Sequence, residues 1–329
     1  MGRSAPYLRA MPDSTRPAEA PPRRPAAPHA GPLDRRPVQI ALVIAMGGVW
    51  GLAFPANRYA MVNGLPPLGY TAWVFIVAAA VGILVCGLRG ARPRYTRAFH
   101  AFTLFTGLLR CAVPVTLMAI AVQHISAGLL VTITSTSAIM VYGAAVALRR
   151  ERFHWVRFAG VLSGLAGIAC ILLPESSLPD RADIPWAILA FSAPALFALT
   201  TMTIDLNRPP DTPTLALTAG MFVWAAVALV PTALIAGDFY LPLPPFRLAD
   251  GSMVLHGLIN GIAFIGVFEL IRIAGPVVAT QTAYITPVSG VLWGVALLGE
   301  RHSAWIWAAL VLILAGLAFV NVGRGRGRR

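Results

Sequence analysis

Arg110 falls in the middle of an apolar run from residue 99 to 122. At the centre of a bilayer-length segment a guanidinium costs about 2.5 kcal/mol or more, so such a group faces a cavity or a partner. Displaced by 149 residues, the position becomes Ile259, next to Asn260 in the middle of another apolar run. Two polar groups at comparable depth suggest a central cavity in which Arg110 binds a carboxylate or other anion through its planar fork. The competing reading is an Arg satisfied by helix carbonyls or by an acidic residue such as Glu269. Trp50, beside Gly47, Gly48 and Gly51, fits a cavity wall or close packing equally well, and Trp73 is a second aromatic candidate away from the helix ends. Gln281 and Tyr284, with Thr286 and Ser289, Thr132, Thr134 and Ser135, offer hydrogen bonds to a solute, to other helices or to their own backbone.

No constellation for covalent chemistry accompanies them. The six histidines stand singly at 29, 100, 124, 154, 256 and 302, and Cys86, Cys111 and Cys170 all sit in apolar runs as small buried hydrophobes. The chain has no Lys, so the phosphate-binding motif G-x-x-x-x-G-K-[ST] is missing and ATP-driven transport by this chain is excluded. We expect no catalytic residue, no metal and no cofactor.

These side chains must be positioned by membrane helices. Hydrophobic residues make up 57% of the 329 positions and charged residues only 12%, with a mean hydropathy of +0.72, far from a soluble average. Ten apolar segments of bilayer length run approximately 38 to 61, 67 to 88, 99 to 122, 126 to 148, 154 to 173, 184 to 206, 214 to 236, 251 to 272, 276 to 298 and 303 to 322. The fold class expected is all-α and polytopic. Residues 1–37, with nine prolines and seven arginines, read as a disordered tail, and 323–329 as a short basic tail. All 26 basic residues are Arg. They concentrate in both tails and in the loops after the second, fourth, sixth and eighth segments, which is membrane topology and not nucleic-acid binding. Both termini are then cytoplasmic in a multi-pass protein of the cell (inner) membrane.

The chain carries an internal duplication. Val146-Ala147-Leu148-Arg149-Arg150-Glu151-Arg152 returns as Val295-Ala296-Leu297-Leu298-Gly299-Glu300-Arg301, after four and nine segments respectively. An odd offset of five means that equivalent helices enter from opposite sides, giving a 5+5 inverted-topology repeat, 38–173 and 184–322. Glu151, Arg152, Glu300 and Arg301 read as helix-end pairs, with each Glu capping the next helix. Pro114, Pro194 and Pro287 lie inside segments as hinges or static kinks. Ala159, Ser163 and Gly167, and Gly290 with Gly294, mark close helix contact within the bundle or in a homodimer.

The ordered set Trp50-Gly51 with Phe54, Gly64-Leu65-Pro66-Pro67, Glu151-Arg152, Phe268-Glu269-Leu270-Ile271-Arg272, Tyr284-Ile285-Thr286-Pro287-Val288, Leu298-Gly299-Glu300-Arg301 and Ala315-Gly316 resembles the EamA-like type of the drug/metabolite transporter superfamily, over about residues 38 to 322. An Arg that such proteins often carry early in the second helix is replaced here by Trp73. The resemblance implies a ten-helix carrier for small organic solutes, often an exporter. The expected function is secondary transport of a small amphipathic or anionic metabolite, such as an amino acid, by alternating access. The expected partners are that small-molecule solute and the lipid bilayer. An integral-membrane enzyme and a non-transporting scaffold are the alternatives.

Overall fold

The computed structural model describes residues 36–91, 93–149, 153–172 and 181–321. Glu151, Arg152 and nearly all of both expected tails lie outside the described residues. Within the described residues the chain is entirely helical. Its membrane helices are α1 (Pro37–Val62), α2 (Pro67–Leu88), α3 (Arg97–Ala121), α4 (Ala127–Ala147), α5 (Trp155–Leu172), α6 (Ile184–Ile204), α7 (Thr214–Ile235), α8 (Leu248–Ala274), α9 (Thr282–Leu298) and α10 (Ala304–Asn321). Nine of these are long and apolar enough to cross a membrane. The exception is α9, whose segment is interrupted at Thr280–Gln281, leaving the short helix Pro276–Ala279 ahead of it. Hydrocarbon offers the backbone no hydrogen bonds, so each apolar run satisfies its own amides as a helix. Side chains finish the ends: Thr96 Oγ1 accepts from the Phe99 amide and Ser126 Oγ from the Leu129 amide, both at 3.1 Å.

Three other helices, read from the sequence as continuous, are irregular. The first, α1, breaks at Leu52, where Pro55 has no N–H to return to the Gly51 carbonyl. In α3, residues Gly107–Ala112 form a π-helical turn just before Pro114, which cannot bond the Arg110 carbonyl. The third, α4, breaks at Ser135–Thr136, within a run of hydroxyl residues that compete for backbone carbonyls. There Ser135 Oγ donates to Val131 O and Thr136 Oγ1 to Ile133 O, each at 2.7 Å.

The helices pair in a two-fold pattern. Just as α1 packs on α8 and α9, α6 packs on α3 and α4, and α2 on α8 matches α7 on α3. The most extensive pairing joins α5 to α10: Gly160 meets Gly316, Ser163 Oγ donates to Leu312 O at 2.7 Å, and Gly167 meets Ala309 and Ile313. These contacts advance along α5 while retreating along α10, so the two helices are antiparallel. The same holds for α2 and α7, where Gly82 touches Ala219 and Gly69 touches the chain just beyond α7. The small-residue stripes thus serve helix contacts inside one protomer, Gly290 against Val131 of α4 included.

A Cβ at position 316 would lie 2.6 Å from the Gly160 carbonyl oxygen, whereas one at Gly143 meets nothing within 4 Å. Gly316→Val is expected to lower stability by about 1–3 kcal/mol and Gly143→Ala to change it little, as read by thermal unfolding in detergent.

Candidate substrate-binding site

All four helix irregularities converge on one cavity. Trp50, Ala53 and Phe54 beside the α1 break, Arg110 and Cys111 in the α3 π-turn, Ser135 and Ser137 at the α4 break, and Thr282 and Ala283 at the start of α9 line a single space of about 420 Å³. Helices α2, α6 and α8 complete the wall through Phe75, Phe197 and Thr201, and His256 with Asn260. The α1 turn preceding the break is held from α9. There Ser289 Oγ donates to Gly47 O at 2.9 Å and Trp293 Nε1 to Gly48 O at 3.0 Å.

Three of the residues read from the sequence, Trp50, Arg110 and Asn260, share this cavity. The π-turn gives the Arg110 backbone its position, and its side chain reaches α6, with Nη1 3.3 Å from Thr201 Oγ1 and the guanidinium carbon 5.9 Å from the Phe197 ring centroid. No acidic side chain lies within ion-pairing distance of it among the described residues, and Glu269 instead pairs with Arg89 and with Arg272 at 2.8 Å. Trp50 stacks at a tilt on Phe264, centroids 5.2 Å apart.

Of the hydrogen-bonding candidates Thr134, Ser135 and Thr286 also line the cavity, whereas Tyr284, Gln281 and Trp73 lie elsewhere. Tyr284 turns to α10, its hydroxyl 3.4 Å from Leu317 O and accepting from Asn321 Nδ2 at 3.0 Å. Gln281 is exposed beside the α9 interruption. The Trp73 indole N–H donates to Tyr240 O at 2.8 Å, on the wall of a separate depression near the start of α8. Of the prolines, Pro287 lines the cavity, Pro114 closes the π-turn, and Pro194 sits inside α6 away from the lining. Thr132, Thr134 and Ser135 spend their hydroxyls on α4 carbonyls. Asn57 and His256, not singled out from the sequence as cavity residues, also line the cavity and are 1% and 5% exposed.

Glu300 caps a different helix from the one expected. Its carboxylate accepts from the Ala127 amide at 2.6 Å and the Gly128 amide at 3.0 Å, at the start of α4 and not of α10. Proximity in the fold, invisible in sequence order, decides this. Arg58 Nε lies 3.3 Å from the carboxylate, and the same guanidinium donates to Val122 O and Ile125 O. His302 Nε2 is 3.4 Å from Glu300, and the ring packs so closely on α4 that only glycine fits at position 128. The cluster joins the end of α1, the α3–α4 turn and the α9–α10 turn at one corner.

The sequence matches the EamA-like transporter family over residues 38–173 and 184–322. The chain belongs to the EamA-like transporter family. It is 28% identical over 284 residues to the uncharacterized inner membrane transporter YedA of Escherichia coli (strain K12), covering 84% of this chain and 88% of the relative. It is 26% identical over 277 residues to the uncharacterized transporter YwfM of Bacillus subtilis (strain 168), covering 83% and 90%. One solved crystal structure superposes with a TM-score of 0.58 at 19% identity, over 88% of this chain and 99% of the other, a likeness of fold. The family match spans two copies of one unit, in keeping with the two-fold helix pairing.

Burial raises the Glu300 carboxyl, but the His302 imidazole and the two α4 amides outweigh it, so the group titrates below the ordinary carboxylate range. Its contribution to stability is complete above the unfolded value of about 4.3 and is lost as pH falls through the lower folded value. The stability difference between wild type and Glu300→Gln is therefore expected to be constant from neutral pH to roughly 4.3 and to shrink below it, as read by thermal unfolding across pH.

Proposed function

We propose that this transporter is a secondary carrier that moves a small organic anion through the central cavity by alternating access. The supporting observation is Arg110: a cation in a largely apolar, aromatic-lined space, with a neutral hydroxyl and a ring as neighbours and, among the described residues, no carboxylate beside it. An anion entering the cavity supplies the missing counter-charge, and the planar fork suits a carboxylate. A volume of about 420 Å³ is at the small end of ligand pockets, the size of a single metabolite.

Antiparallel pairing of α5 with α10 and of α2 with α7 supports a 5+5 inverted repeat, whose two halves exchange conformations to open the cavity to either side. The α1, α3, α4 and α9 irregularities adjoin the cavity and give these helices places to flex, with Pro114 and Pro287 as hinges. Arginine placement supports cytoplasmic termini, and the name of the Escherichia coli relative supports the inner membrane. Net transport runs outward, the direction the family resemblance implies.

The test is solute flux in proteoliposomes with a panel of organic acids and amino acids. Arg110→Ala is expected to reduce uptake of the transported anion at least about tenfold, the scale of a lost charge-assisted hydrogen bond, and Arg110→Lys less. Wild-type flux from Arg110→Ala, or a wild-type protein inert toward the whole panel, would overturn the reading.

A further inference from the structure

Among the described residues Asn57 has no hydrogen-bond partner at either Oδ1 or Nδ2, although both atoms are buried and the residue lines the cavity. Buried amide groups in native proteins are almost always bonded, and one left unbonded is costly. Nothing in the fold explains this one. It sits on α1 one turn beyond the Leu52 break, where Ala or Leu would continue the apolar run at no such cost.

Its surroundings define a neutral polar wall. Met46 meets Gly266 and Trp50 meets Phe264, so α1 and α8 run antiparallel. Beyond its break α1 still packs on α8, and Asn57 lines the same cavity as His256. The His256 ring is committed at Nδ1 to the Tyr70 hydroxyl at 2.6 Å, which leaves Nε2 as its remaining polar atom. Asn260, one turn along α8, lines the same cavity and is 7% exposed. Arg110 belongs to a different wall, directed at Phe197 and Thr201 of α6. The cavity therefore offers a cation on one side and, on the other, two side-chain amides and an imidazole that both donate and accept. No Asp or Glu lines it among the described residues.

We infer that Asn57, with His256 and Asn260, forms a second subsite that recognises a neutral donor–acceptor group on the solute, of the carboxamide class. This rests on reading Arg110 as the anion site, and together the two subsites select an organic anion that also bears a primary carboxamide. A planar amide matches Asn57 atom for atom, its C=O taking Nδ2–H and its N–H giving to Oδ1. An ammonium would arrive without a counter-charge, and an alkyl group would leave the Asn57 amide unpaired, which is how a polar subsite rejects an apolar analogue.

The test measures ligand-induced thermal stabilisation of the purified full-length protein with three small carboxylates: succinamate, isocaproate of nearly the same shape, and the zwitterion γ-aminobutyrate. Wild type is expected to bind succinamate about tenfold more tightly than isocaproate, the scale of a buried hydrogen-bonded pair. Asn57→Leu should bring succinamate down to the isocaproate level while leaving isocaproate unchanged, which a merely structural role would not do. Asn57→Asp should move the preference to γ-aminobutyrate. Should the Leu variant not fold, Asn57→Ser carries the same comparison. Equal binding of succinamate and isocaproate by wild type, or an equal loss of both in the Asn57 variants, overturns the subsite. If instead Arg110→Ala leaves binding of all three carboxylates unchanged, the anion site itself fails.

Discussion

Every peptide group in a hydrocarbon-spanning segment has to be hydrogen-bonded within the protein, and the architecture follows from where that rule is relaxed. Six of the ten membrane helices contain no break or π-turn within their spans. The four that do, α1, α3, α4 and α9, place their irregular turns around one cavity, where other side chains or the cavity itself take up the freed backbone groups. Ser289 and Trp293 show the principle directly: α9 side chains bond the α1 carbonyls just before the Leu52 break. Irregular backbone and cavity wall are the same feature here.

The duplicated Glu-Arg motif contributes at the periphery of this arrangement. Glu300, Arg58 and His302 tie the ends of α1 and α9 to the start of α4 through charge-assisted bonds to α4 amides and to carbonyls of the α3–α4 turn. All three helices also line the cavity. A corner of this kind keeps the broken helices in register without adding a charge to the space they enclose. The cavity's charge therefore comes from Arg110, and its polarity from Asn57, His256 and Asn260.

Much was legible in the sequence. Spans followed from apolar runs near bilayer length, and the nine found by length and composition coincide with nine of the ten segments read, within a few residues. Arg110 was visible because a mid-span guanidinium is conspicuous against an apolar background, and Trp50 and Asn260 because of glycine neighbours and of the duplication offset. Asn57 and His256 were not visible as a pair, because they lie about 200 residues apart and each alone resembles an ordinary satisfied polar residue. Tyr284 has the right composition for a cavity, but the rotation of its 17-residue helix turns it to α10, and no sequence mark fixes that rotation; Gln281 falls in the interruption before that helix, and Trp73 lies on α2 beside Tyr240.

By itself, then, the sequence determined the helical class, the segment count and the duplication, since hydropathy and span length are properties of local runs. Tertiary structure alone decided which face of each helix looks inward and which helix end each carboxylate caps. It also decided that an amide with no hydrogen-bond partner and a guanidinium with no carboxylate partner, among the described residues, line one space. Those outcomes depend on packing between segments far apart in the chain, where a few ångströms of rise or a fraction of a turn moves a side chain from the cavity to a neighbouring helix.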